Sequence, residues 1–153
     1  MVELLKIRCA EFEQDTMIPD NFTCMGEDVN PELIIENIPA GTKTLALVVE
    51  DPGSLKGNWV HWLVFNIFVQ KDTKELTIKE NSVPGVEGMN DFMTTDYRGP
   101  CPPPGFKAHK YYFRVYALDC EVNLDFATKQ NLELALKGHI IGKGELVGLF
   151  KRG

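Results

Sequence analysis

Residues 44–67 read TLALVVEDPGSLKGNWVHWLVFNI, and their reading decides the fold. Thr44–Glu50 is short, branched and nearly all apolar, the pattern of a strand buried on both faces. Trp59–Ile67 is longer and of the same kind. Between them Asp51-Pro52-Gly53 and Lys56-Gly57-Asn58 are turn signals. Working outward, Tyr111–Asp119 (YYFRVYALD) is a third strand, aromatic with a lone Arg114, and Leu4–Glu13, Glu32–Asn37 and Leu146–Lys151 are weaker strand candidates. One helix is expected, capped by Asp125 and running to about Lys137, with Phe126, Leu132, Leu134, Ala135 and Leu136 as its apolar positions and Gly138 as its stop. Several strands and one late helix predict a mainly-β domain, a sandwich with a helical appendage.

The 153 residues argue for one domain over residues 1–153. A chain of this size buries roughly 70% of its unfolded surface, enough for a core without metal or disulfide staples. Sixteen Lys and Arg against 22 Asp and Glu leave a net charge of −6, which excludes a general nucleic-acid binder, whose affinity comes from neutralising phosphates. No apolar run approaches the ~20 residues of a membrane helix, so no stable membrane insertion is expected. The segment MVELLKIRCAEFEQD carries an acidic residue at position 3 and no sustained apolar stretch, unlike a secretory leader, so the expected location is the cytoplasm. There, the widely spaced Cys9, Cys24, Cys101 and Cys120 are expected to be thiols.

Polar chemistry meets the apolar strands at few places. His61 sits inside WVHWLVF, and alternation places it with Trp59, Leu63 and Phe65 on one face, opposite Val60, Trp62 and Val64. His109 precedes the third strand and shares parity with Tyr111 and Phe113. Asp51 ends the first strand. The stretch from Thr73 to Ala108 is long for a loop and carries Asn90, Asp91, Tyr97, Arg98 and GPCPPPG, a composition expected of an ordered functional loop. Each residue has a structural explanation: His61 as a bonded core histidine, Asp51 as a turn residue, Trp59 and Tyr111 as core aromatics, the prolines as a stiff spacer. As a group, two histidines, an Asp and a rigid loop suit a small anion. Protonated imidazoles and loop N–H groups donate to its oxygens, and an aromatic rim excludes water.

The set NPEL, GTKTLALVVEDPGS, WVHWLVFNI, NDF, YRGPCPPPG and HKYYFRVYALD, in this order from about Phe22 onward, resembles the phosphatidylethanolamine-binding protein family, especially its bacterial and archaeal branch, related to the Raf kinase inhibitor protein. The resemblance implies a Greek-key β-sandwich with a C-terminal helix and an anion cavity at one end. It assigns ligand binding to Asp51, Trp59, His61, Pro102, Pro103, His109 and Tyr111, with Gly99, Pro100 and Cys101 shaping the loop. It implies no cofactor. Departures are DPGSL for DPDAP, with Gly53 and Leu55 in place of the acid and the proline, Lys110 in place of Arg, and Met93 in place of Gly after NDF.

The expectation is therefore a non-enzymatic binder of phosphate, a phosphoethanolamine-like headgroup or a phosphopeptide. A kinase or protease partner and a homodimer are implied by the resemblance alone. Two alternatives stay open. Cys101 with His109 could form the nucleophile and base of a hydrolase, and His61, His109 and Asp51 could supply a two-histidine, one-carboxylate metal site.

Overall fold

The computed structural model describes residues 2–153, and its architecture follows from the burial pattern of five long or well-covered strands. Strand β5 (Thr44–Asp51) is buried at all eight positions. It lies between β6 (Trp59–Phe68) and β9 (His109–Leu118), antiparallel to both. Strand β10 (Ile140–Phe150) extends the sheet beyond β9, with β1 (Glu3–Leu4) and β3 (Thr16–Met17) added in parallel and β8 (Val86–Glu87) closing the far edge against β6. A smaller sheet of β2 (Lys6–Arg8), β4 (Leu33–Glu36) and β7 (Leu76–Ile78) covers one face. Ile7, Leu33, Ile35 and Ile78 from the small sheet meet Leu45, Leu47, Val49, Trp62, Val64, Phe113 and Val115 from the large one in the main core.

The opposite face of the large sheet packs a second core of Ala46, Val48, Val60, Leu63 and Phe65 against Leu132 and Leu136 of helix α1 (Lys129–Leu136). The mainly-β sandwich with one late helix is thus present, although the helix precedes the last strand. Burial on both faces explains why β5 reads as an unbroken apolar run.

Besides the cysteines, three sequence expectations differ from the structure: the helix cap, the start of β10 and the alternation along β6. The helix starts at Lys129, and its cap is Thr128, not Asp125. The Thr128 hydroxyl accepts the Asn131 N–H while the Asn131 side chain accepts the Thr128 N–H, a capping box with Asn in the usual Glu position. Phe126 and Leu134 are exposed rather than on the apolar face. Strand β10 is 11 residues long and begins six residues earlier than expected. Gly142, Gly144 and Gly148 hide it from hydrophobic patterning. Two of them admit close neighbours: a Cβ on Gly144 would stand 2.4 Å from the Leu5 carbonyl oxygen, and one on Gly148 2.5 Å from Ile18 Cγ1.

The alternation expected along β6 fails near its start. Val49 pairs with Trp62 while Glu50 pairs with Val60, so His61 is one residue too many and forms a bulge. Trp62 and Val64 accordingly face the main core, whereas Val60, Leu63 and Phe65 face the helix. Nor are all four cysteines thiols: Cys24 and Cys101 form a disulfide, with Cα atoms 5.4 Å apart and a sequence separation of 77. Cys9 and Cys120 are free. The Cys24 N–H donates to the Pro100 carbonyl, which brings the two chain segments together.

Candidate functional site: a histidine cavity at one end of the sheet

The end of β5 and the starts of β6 and β9 lie side by side, because Asp51 pairs with Trp59 and Glu50 with Tyr112. Around them opens a cavity of about 240 Å³. Its lining includes all seven residues assigned to ligand binding from the sequence, Asp51, Trp59, His61, Pro102, Pro103, His109 and Tyr111. Cys101 also lines it, whereas Gly99 and Pro100 stand behind. The Gly99 N–H donates to Asp28 Oδ1 at 2.8 Å, and a Cβ there would meet the Phe22 carbonyl oxygen at 2.2 Å, so the loop lies flat against the Asp20–Phe22 turn.

His61 is 4% exposed and its ring is oriented by the long loop. Asp91 pairs with both backbone groups of Val60: its N–H donates to the Val60 carbonyl, and its Oδ2 accepts the Val60 N–H at 2.6 Å. On the other side the Arg98 N–H donates to the His61 carbonyl, and His61 Nδ1 lies 2.6 Å from the Arg98 carbonyl oxygen. A carbonyl only accepts, so Nδ1 carries the proton and the neutral ring presents an unprotonated Nε2. Burial pushes the His61 pKa below its ordinary 6.5, more strongly than the Arg98 carbonyl and the Asp51 charge raise it. His61 is therefore both a bonded core histidine and a cavity wall.

His109 is held by a different partner. Its Nδ1 stands 2.6 Å from Asp51 Oδ2, while Asp51 Oδ1 accepts the Gly53 N–H at 2.9 Å. Asp51 thus forms its own turn and orients the histidine, which joins the structural and functional readings of that residue. Gly in place of the family's acid leaves this turn intact. Aromatic rings complete the box. Tyr111 lies edge-on to His61 at 5.3 Å and stacks with His109 at 6.4 Å; Phe92 lies edge-on to both Trp59 and His61. Burial pushes the Tyr111 phenol well up, so its hydroxyl stays protonated.

Ser54, Lys56, Phe92 and Leu55, the last a departure from the family pattern, also line the cavity. Lys56 places its ammonium 5.5 Å from the Trp59 ring centroid and brings a cation to the mouth. In the sequence Phe92 shows only as the aromatic residue of the NDF stretch, between turn-formers. Lys110, the departure from Arg, is exposed on the alternate face of β9 and is absent from the cavity lining. Met93, the departure from Gly, adopts φ of 67°. That left-handed conformation costs an L-residue roughly 1–2 kcal/mol, which glycine escapes. Met93→Gly should therefore raise the urea midpoint by an amount worth about 1 kcal/mol; an unchanged or lower midpoint would show that the exposed Met93 side chain stabilises the turn.

A two-sheet β-sandwich with an aspartate-oriented histidine cavity at one end of its larger sheet is the class that fold and site define together. The chain belongs to the phosphatidylethanolamine-binding protein family: the model of that family matches residues 9–151. A UPF0098 protein of Pyrococcus abyssi is 43% identical over 155 residues, spanning 98% of this chain and 86% of that protein. A UPF0098 protein of Methanothermobacter thermautotrophicus is 37% identical over 158 residues, spanning 97% and 100%. The crystal structure of a phosphatidylethanolamine-binding protein homologue from Chlamydia trachomatis, CT736, matches with a TM-score of 0.87 at 32% identity and covers 99% of both chains. The structure of YbcL from E. coli, a member of the mammalian branch's family, matches at 0.85 and 25% identity, covering 97% and 99%.

Proposed function

We propose that the chain is a non-enzymatic receptor for a phosphate-type anion, inorganic phosphate or the head of a phosphoethanolamine-like ester. The observation that carries the reading is the commitment of both Nδ1 atoms. With Nδ1 of His61 bonded to the Arg98 carbonyl and Nδ1 of His109 to Asp51, each ring keeps only Nε2 for a ligand. Protonated His109 donates from that atom, its charge balanced by Asp51. Neutral His61 accepts. The matching ligand bears one proton, a hydrogen phosphate or a singly protonated phosphate ester.

The sign of the pH dependence follows. A phosphate monoester loses its second proton near pH 6. That change removes the bond to the accepting Nε2 of His61, so affinity falls with rising pH. Calorimetric titration with O-phosphoethanolamine should show affinity dropping about tenfold per unit between about pH 7 and about pH 8. A flat or rising affinity would rule out the donor–acceptor pair. His109→Ala and His61→Ala should each abolish binding at neutral pH; retention by both would end the proposal.

The same cavity could receive a phosphorylated side chain of a kinase- or protease-class partner, which is the second form of this reading. A homodimer is an expectation from the resemblance alone. The two enzymatic alternatives find less support. A disulfide-bonded Cys101 has no thiolate to offer His109. Among the described residues, the ligand atoms that gather for a metal belong to other side chains than Asp51, His61 and His109. No helix among the described residues is long and apolar enough to cross a membrane. The Cys24–Cys101 disulfide removes the support that four thiols would have lent to a cytoplasmic location.

A further inference from the structure

At the opposite end of the large sheet, beyond the last residue of β9, Asp119 and Cys120 meet His139, which precedes β10. A carboxylate oxygen, the thiol sulfur and an imidazole nitrogen all lie within 4.8 Å of one another. We propose that these three side chains bind a zinc-class divalent cation, leaving one coordination position open to water. This site does not rest on the anion-cavity reading. The nine residue steps from His109 to Leu118 separate the two by roughly 30 Å at strand rise.

The chemistry is that of a borderline metal. Sulfur and imidazole together favour zinc over the hard cations calcium and magnesium, which take all-oxygen shells. Zinc–ligand distances of about 2.0–2.3 Å put tetrahedral donor atoms roughly 3.3–3.7 Å apart. Movements of about 1 Å therefore close the cluster. His139 already holds its Nδ1 2.8 Å from Asp119 Oδ1, and both side chains are about half exposed, so an ion has an approach from solvent. On binding, the His139–Asp119 hydrogen bond opens and the ring proton moves to the nitrogen that faces away from the metal, the thiol proton passes to the buffer, and the Zn–N, Zn–O and Zn–S bonds form; no oxidant is involved.

The backbone carries the three donors in place before any metal arrives. The Asp119 N–H donates to the His139 carbonyl at 3.1 Å, locking the two strand ends together. The Cys120 carbonyl accepts the Thr44 hydroxyl at 2.7 Å. The His139 N–H donates to Leu136 at the helix end, and Gly138 at φ of 81° makes the turn that aims the histidine back. Such anchoring lowers the ordering cost of assembling ligands from positions 20 residues apart. Sequence spacing hid the group, because the third donor lies after the helix and no CxxC or HxxxH pattern accompanies it.

Cobalt(II) titration of the intact protein, disulfide retained, tests the site. The expected result is one equivalent bound, with thiolate-to-cobalt charge-transfer absorption in the near ultraviolet and tetrahedral bands in the visible, both lost on adding zinc. Cys120→Ser should abolish the charge-transfer band with the far-ultraviolet circular dichroism unchanged. His139→Ala should weaken zinc binding at least about 100-fold, more than a lost outer-shell contact costs. A charge-transfer band that survives Cys120→Ser, or zinc affinity unchanged in His139→Ala, would overturn the assignment. So would the absence of any cobalt spectrum at a millimolar excess of metal.

Discussion

Removing the Cys24–Cys101 bridge should lower the unfolding free energy by about 4.5 kcal/mol, the chain-entropy value for a loop of 77 residues. The comparison is urea or guanidinium denaturation of the wild type and of Cys24→Ser/Cys101→Ser. Anion affinity should change far less, by no more than about threefold, because the bridge acts mainly on the unfolded chain. In the folded chain its loop has other anchors. Gly99 N–H donates to Asp28, Cys24 N–H to the Pro100 carbonyl, Arg152 Nε to the Pro102 carbonyl and the Tyr97 hydroxyl to the Phe22 carbonyl. Thiol titration of the denatured wild type should find two thiols before reduction and four after. Four thiols before reduction, or a double variant within about 1 kcal/mol of wild type, would refute the bridge's role.

The residues that betrayed the fold are those whose local pattern and tertiary setting agree. TLALVVE is apolar at nearly every position because two cores press on β5, and the aromatic run from Tyr111 reads as a strand because it lies beside β5. Legibility failed where the partner is distant in sequence. The glycines of β10 accommodate Leu5 and Ile18, more than a hundred residues earlier, so their spacing looks like a breaker pattern until the sheet is assembled. The bulge at His61 exists because the 88–98 loop takes over the bonds that a strand would make, and period-two counting has no means of registering it. Cys24 and Cys101 give no spacing signal, since a 77-residue separation is a property of the fold. The cavity was legible for a different reason: its polar residues stand at strand ends, where Asp, His and a Pro-rich loop are conspicuous against apolar runs. Lys56 and Phe92, lying in turns, had no such background.

Asp51 is the position at which fold and cavity are most tightly joined, and its replacement should have the largest effect on binding. Its side chain is 5% exposed and divides its oxygens between the Gly53 N–H and His109 Nδ1. Asp51→Ala leaves the part-buried His109 Nδ1 donor without its partner and frees the Gly53 N–H at an exposed turn, and should cost about 2 kcal/mol of stability as well as phosphate binding. The sharper test is Asp51→Asn. An Asn can keep the Gly53 bond through its oxygen and turn its NH2 toward His109, where it must donate. Neutral His109 would then accept at Nδ1 and carry its proton on Nε2. The ring would donate to an anion without being charged. Phosphate affinity should fall, since a neutral ring offers the anion a weaker bond than a charge-assisted one. Nitrogen-15 NMR of the two imidazoles would report the tautomer directly. A His109 that keeps its proton on Nδ1 in Asp51→Asn, with phosphate affinity unchanged, would show that the aspartate positions the ring without setting its donor, and the proton-sharing account of the cavity would have to be abandoned.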